Sequence, residues 1–233
     1  MIKKSVAAFT LIEMLVVIAI IATIAAFALP AITGALTRGQ LAQAVSNARQ
    51  IHLATFAMTT DGTQTGDAKY GWPGDLFVAA VKPVTTVPAF VQRLVDNDYL
   101  KSGDLKVFAA PGITPWSGTY TKPADANSDG AFSPVFDGDK NCGFKIYKVK
   151  DTDPGNAIFL ATKNFSYSSN PTTAISSTAT PFGDKGFVVF HKGGDGTFYK
   201  RQQATSKQLL GTLGSDDSAA PPDESPDSYL AQK

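Results

Sequence analysis

Residues 9–29, FTLIEMLVVIAIIATIAAFAL, form an apolar run carrying one charge, Glu13, and followed at once by Pro30. As a helix rising about 1.5 Å per residue, a run of this length spans the ~30 Å hydrocarbon core of a bilayer, so it is read as a membrane segment. An acidic side chain inside such a segment costs on the order of 2.5–3.5 kcal/mol at the bilayer centre and normally has a partner. If the chain is cut between Ala8 and Phe9, the new α-amino group lies at the helix start, close in depth to Glu13. Amine and carboxylate on neighbouring copies would then pair, with the copies staggered so that each amine meets the next carboxylate.

The leader MIKKSVAA followed by FTLIEMLVVIAIIATIAAFALP resembles the N-terminus of the type IV pilin and pseudopilin family. The resemblance implies cleavage and N-methylation by prepilin peptidase, with Ala8 and Phe9 flanking the cut and Phe9, Glu13 and Pro30 serving assembly. The family has Gly immediately before the cut, where this chain has Ala8, also small. Two other readings fit part of the run. One is a secretory signal peptide cut at Ala26-Phe27-Ala28, against which the length of the run and the charge of Glu13 both count. The other is an uncleaved signal anchor.

The chain of 233 residues divides by pattern into a leader, 1–8, a membrane or filament-core helix, 9–30, its amphipathic continuation, 31–60, a globular domain, 61–211, and a tail, 212–233. Apolar residues at 43% and charged residues at 18% describe a globular remainder with a real core. A net charge of +1 with no basic block in that remainder disfavours nucleic acid as a partner. Lys3 and Lys4 before the span, against Arg38 after it, orient the N-terminus to the cytoplasm and export the rest. A lone cysteine, Cys142, cannot form an intramolecular disulfide and reads as a small buried hydrophobe. Many type IV pilins staple their C-terminal region with a disulfide. The major pseudopilins of type II secretion resemble this chain in lacking one and often use calcium instead.

Pro30 is expected to kink the helix without ending it, because helix formers resume directly after it. From Leu41 onward the pattern is amphipathic: Leu41, Ala44, Ala48, Ile51, Thr55 and Met58 share one edge, and Gln40, Gln43, Ser46, Asn47 and Gln50 the other. The helix is expected to close at Asp61-Gly62, before a Gly- and Asp-rich loop tacked down by Tyr70 and Trp72. A second helix is expected over Pro88–Tyr99, capped by Thr86. Strands are expected at Leu105–Ala109, Gly143–Val149 and Ala157–Thr162, and the runs GFVVFHK and TFYKR, joined by GGDG, predict a hairpin over Gly186–Arg201. The long helix is the natural cover for the apolar face of that hairpin. The expected fold is therefore α+β and pilin-like, with the helix packed on one small antiparallel sheet. The acidic, Pro/Ser-rich tail is expected to be disordered.

Asp125, Asn127 and Asp129 place oxygen ligands at alternate positions ahead of Gly130, as the first half of a calcium loop does. Phe136 stands where an EF-hand has its bidentate Glu, so Asp137 or Asp139 would have to substitute. The plainer reading is that Asn, Asp and Gly favour turns. His52 and His191 with one Cys make no convincing zinc set, and no G-x-S-x-G, H-E-x-x-H or P-loop pattern occurs.

Together these readings describe a non-enzymatic structural subunit, held in the inner membrane before it polymerises by helix bundling. The soluble domain would be periplasmic, or extracellular after assembly. The resemblance implies as partners other copies and other pilin-like subunits, prepilin peptidase, an inner-membrane assembly platform and, before assembly, the lipid bilayer. Calcium is the one implied cofactor. The resemblance is closest to the major pseudopilin of type II secretion and next to a type IV pilin; a membrane-tethered calcium-dependent binding module is the rival from another class.

Overall fold

The computed structural model describes residues 10–80, 82–124, 128–167, 179–200, 213 and 228–233. By internal contacts the chain forms two compact units, Met1–Gly39 and Gln40–Lys233. Helix α1, Leu11–Thr65, begins in the first and continues through the second, with Pro30 inside it. Short helices α2 (Pro73–Phe77), α3 (Val87–Asp96) and α4 (Gly138–Asn141) follow along the chain, with a 3-10 helix at Ser102–Phe108. Strands β1 (Thr119–Thr121) and β2 (Ala131–Ser133) make a two-stranded ribbon. Strands β3 (Phe144–Ile146), β4 (Ile158–Thr162), β5 (Phe187–His191) and β6 (Gly196–Tyr199) make an antiparallel sheet in that order.

Within the second unit the apolar edge of α1 does what its periodicity predicts. Leu41, Ala44, Ala48, Ile51, Thr55 and Met58 are all buried, and the apolar members share one core with Phe144, Ile146, Phe159, Leu160, Val188 and Phe190 of the sheet. The opposite face of the sheet is also covered: Tyr147, Ile158, Ala161, Phe165, Tyr167, Phe187 and Val189 form a second core. Strand β5 therefore alternates cleanly, Val188 and Phe190 to one side, Phe187 and Val189 to the other. Strand β4 does not. Ile158 pairs with His191 and Leu160 with Phe190, leaving Phe159 as an extra residue in a bulge. The bulge lets Phe159 and Leu160, adjacent in sequence, both enter the α1-side core.

Several local expectations are corrected. The helix does not close at Asp61-Gly62 but runs to Thr65. Gly62 lies inside it because a Cβ there would stand 2.4 Å from the Tyr70 carbonyl oxygen. The closing glycine is Gly66, at φ +69°, whose N–H donates to the Gly62 carbonyl at 2.8 Å. Leu105–Ala109 is no strand: Leu105 and Phe108, three residues apart, both reach the core from one turn of 3-10 helix. The ribbon of β1 and β2 adds a second sheet where one was expected. The second helix is α3, with Thr86 as its cap accepting from the Ala89 N–H at 3.2 Å.

The end of the chain departs most from expectation. Residues 228–233 are packed into the domain, and Leu230 is fully buried in the α1-side core. Its backbone bridges two elements: Ala231 pairs in parallel with Thr86, and Tyr229 antiparallel with Tyr147. The remainder of the expected tail, apart from Leu213, lies outside the described residues.

Candidate functional site

Thr10 and Glu13 open helix α1 as a reciprocal pair. The Glu13 N–H donates to Thr10 Oγ1 at 3.3 Å, while Glu13 Oε2 accepts from both the Thr10 N–H and the Thr10 hydroxyl at 2.7 Å. This is a capping box, Thr-x-x-Glu, in which side chains satisfy amide donors that a helix start leaves without partners. In an apolar medium those donors have no water to turn to, so the motif suits a helix that begins in or near a membrane. The sequence reading assigned Glu13 an intermolecular partner and passed over the local one, although T-x-x-E ahead of an apolar run is its signature. Ala8 and Phe9 lie outside the described residues.

Beyond this cap the first unit is an apolar cylinder. Its most apolar window is wholly exposed, and one helix of the described chain is long and apolar enough to cross a membrane. Leu11, Ile12, Ile18, Ile21, Ile24, Phe27, Leu29 and Leu36 all present their side chains outward. The hydroxyls along it bond back to the helix: Thr23 to the Ala19 carbonyl at 2.8 Å, Thr33 to the Pro30 carbonyl at 3.0 Å and Thr37 to the Thr33 carbonyl at 3.0 Å. No hydroxyl hydrogen of these threonines is therefore left unsatisfied on the apolar surface. Pro30 brings no N–H for the carbonyl four residues before it, yet the helix continues through it, as expected.

Of the proposed calcium ligands, Asp125 and Asn127 lie outside the described residues. Asp129 is engaged elsewhere, its Oδ1 accepting from Lys82 Nζ at 2.9 Å. The loop connects β1 to β2 and is anchored at its end by Asp96, which accepts from the Gly130 N–H at 3.2 Å and from the Tyr120 hydroxyl. Burial, with the Asp96 carboxylate adding to it, pushes the Tyr120 phenol well above its usual range. Among the described residues no group of three or more His, Cys, Asp or Glu side chains is placed to hold a metal.

Both histidines are bound into the fold. His191 Nδ1 pairs with Asp195 Oδ2 at 2.6 Å across the hairpin turn. His52 is caged by Phe56, Trp72, Phe159 and Phe190, and its Nε2 bonds to the Lys192 carbonyl at 2.8 Å. Burial lowers its pKa, with the Lys192 carbonyl opposing and Arg49 reinforcing the shift. A lowered folded-state pKa means that the unfolded chain binds the proton more readily. His52 therefore contributes stability above pH ~6.5 that is lost as pH falls through its folded-state pKa. The melting temperature of the parent is expected to fall more steeply between pH ~7 and ~5 than that of His52→Gln. Parallel pH profiles for the two proteins would contradict this.

Comparison with known proteins bears on the first segment. A family model described as the prokaryotic N-terminal methylation motif matches residues 3–29. The type IV major fimbrial protein FimA of Dichelobacter nodosus is 36% identical over 66 residues, which are 28% of this chain and 42% of that relative. The match thus spans less than half of the relative's length. No solved structure matches the chain.

Proposed function

We propose that this chain, which belongs by its N-terminal segment to the type IV pilin and pseudopilin family, is a structural subunit of a pilus-like filament. The observation that carries the reading is the exposed apolar half of α1 with a single carboxylate in its first turn. Such a surface is stable in lipid, and it is equally stable against copies of itself, where helix packing replaces lipid contact. The membrane holds the subunit before assembly, with its N-terminus cytoplasmic and its domain exported. Assembly then draws the apolar halves into a bundle and leaves the domains outside. The chain is a structural protein and not an enzyme, in keeping with the fimbrial relative.

Within the family we favour the major pseudopilin of type II secretion, with prepilin peptidase and an inner-membrane platform as partners. The lone Cys142 supports this, since its thiol is fully buried and the chain has no second cysteine to form a staple. A type IV pilin is the second reading, favoured by the identity of the relative. Cleavage between Ala8 and Phe9 is the first test: mass measurement of the mature chain is expected to show loss of residues 1–8 and a methylated Phe9, and Ala8→Gly is expected to be processed at least as fully. A mature chain starting at Leu29, or an uncut one, would reject the reading.

Calcium at Asp125, Asn127 and Asp129 is also proposed. Binding there would have to release Asp129 from Lys82, exchanging an exposed ion pair of small worth for coordination. Full-length chain in detergent, stripped of metal, is expected to melt higher as calcium is added, because a ligand that prefers the folded state stabilises it. An unchanged melting curve would remove calcium from the account.

A further inference from the structure

We propose that residues 228–233 are a detachable strand that copies of this chain exchange, the segment of one copy entering the groove of another. This goes beyond the filament reading and does not depend on it. The groove lies between the start of α3 and the edge strand β3, and the segment meets it as an added strand meets a sheet edge. The Leu230 N–H donates to the Ile146 carbonyl at 2.9 Å and the Ala231 N–H to the Thr85 carbonyl at 3.1 Å. The Ala231 carbonyl accepts from the Val87 N–H at 2.7 Å, and the Ser228 carbonyl from the Lys148 N–H at 3.1 Å. Leu230 is the buried anchor, and Lys233 Nζ reaches Asp139 Oδ2 at 3.2 Å. Gly138 is required for the fit, since a Cβ there would stand 2.2 Å from the Gln232 carbonyl oxygen.

This is a complete recognition set, and none of it depends on the segment arriving from the same chain. The preceding part of the chain gives it reach. Leu213 packs on the second core, and residues 214–227, GSDDSAAPPDESPD, separate it from Ser228. The fifteen steps from Leu213 to Ser228 can extend to about 50 Å, more than the ~40 Å across a domain of this size. Joining a segment to its groove through a stretch of fourteen residues sets an effective concentration in about the millimolar range. Copies crowded side by side in a membrane or polymer offer a neighbour's segment at a comparable concentration. Among the described residues, Gln232 Oε1 and Nε2 have no hydrogen-bond partner, so the backbone bonds, Leu230 and Lys233 hold the segment without help from that amide.

The native ion pair permits a direct test. Full-length Lys233→Ala and full-length Asp139→Ala chains are mixed at high density in phosphatidylethanolamine/phosphatidylglycerol vesicles. They are then coupled with a zero-length carbodiimide, digested and analysed by mass spectrometry. An amide between Asp139 and Lys233 can then form only between copies. Exchange predicts this peptide at a yield within about tenfold of that from the parent chain, as comparable effective concentrations require. It also predicts loss of the peptide when Leu230→Asp is added to the copy that retains Lys233. The Lys163 and Asp139 pair, 3.8 Å apart, reports on the Lys233→Ala copy that the coupling has worked. A link found in the parent and absent from the mixture would overturn the proposal, and so would absence of the link from both. Vesicles require no filament, so the result stands whether or not the chain polymerises.

Discussion

Glu13→Gln is expected to accumulate in the membrane at parental levels and to be almost absent from filaments. Removing a charge from an apolar segment makes insertion easier, so a loss cannot arise at that step. Nor can it arise from the helix start, because Gln serves in a capping box as Glu does and would still accept from Thr10. What Gln lacks is the negative charge. If that charge pairs with the α-amino group of Phe9 in an adjacent copy, its loss leaves the amine buried alone, a penalty of roughly 3–5 kcal/mol, or a hundredfold and more in association. Thr10→Ala is the counterpart: it removes the cap, worth about 0.5–2 kcal/mol, and keeps the charge. It is expected to retain filaments. The measurement is the ratio of sheared filament to membrane-bound subunit for the three chains. Parental yield from Glu13→Gln, or loss of filaments from Thr10→Ala alone, would transfer the role of Glu13 from pairing to capping.

The second large effect is expected at the far end of the chain. Leu230→Ala empties a fully buried site in the α1-side core and is expected to cost about 2–5 kcal/mol. At about 2–4 °C per kcal/mol for a domain of this size, Tm should fall by roughly 5–20 °C. Ala231→Ser, one residue along and exposed, is expected to change Tm by no more than a degree or two on the same scale. Equal melting temperatures for Leu230→Ala and the parent would mean that the segment spends little time in its groove.

These two residues also mark what was legible in the sequence. The apolar run, the buried edge from Leu41 to Met58, the Thr86 cap and the hairpin of β5 and β6 each carry a local, periodic or capping signal, and each formed as read. Gly62 misled because a glycine that stops a helix and one that admits a neighbouring carbonyl look alike in sequence. Only the approach of Tyr70 separates them. Leu105, Val107 and Ala109 alternate as a strand would, but among the described residues no strand pairs with them, and a 3-10 turn buries Leu105 and Phe108 instead. Leu230 was hidden by its surroundings: a single apolar tripeptide after a long acidic, proline-rich stretch gives no periodicity, and its partners at Thr86 and Tyr147 are distant in sequence. At the candidate site the carboxylate was found from its rarity in an apolar run, whereas its bond to Thr10, three residues away, was overlooked in favour of a partner in another copy.

The closure of the main sheet on both faces bears on how this protein can diverge. In β4 and β5 every residue is buried, so neither the inward nor the outward set of side chains is at liberty to drift. A lineage under pressure to alter its outer surface could not do so on these strands without opening one of two cores. Variation should collect instead at exposed positions of the connections, such as Val78, Pro83 and Val135, whose side chains meet solvent. The same positions are where an epitope or reporter could be inserted with least harm to the fold.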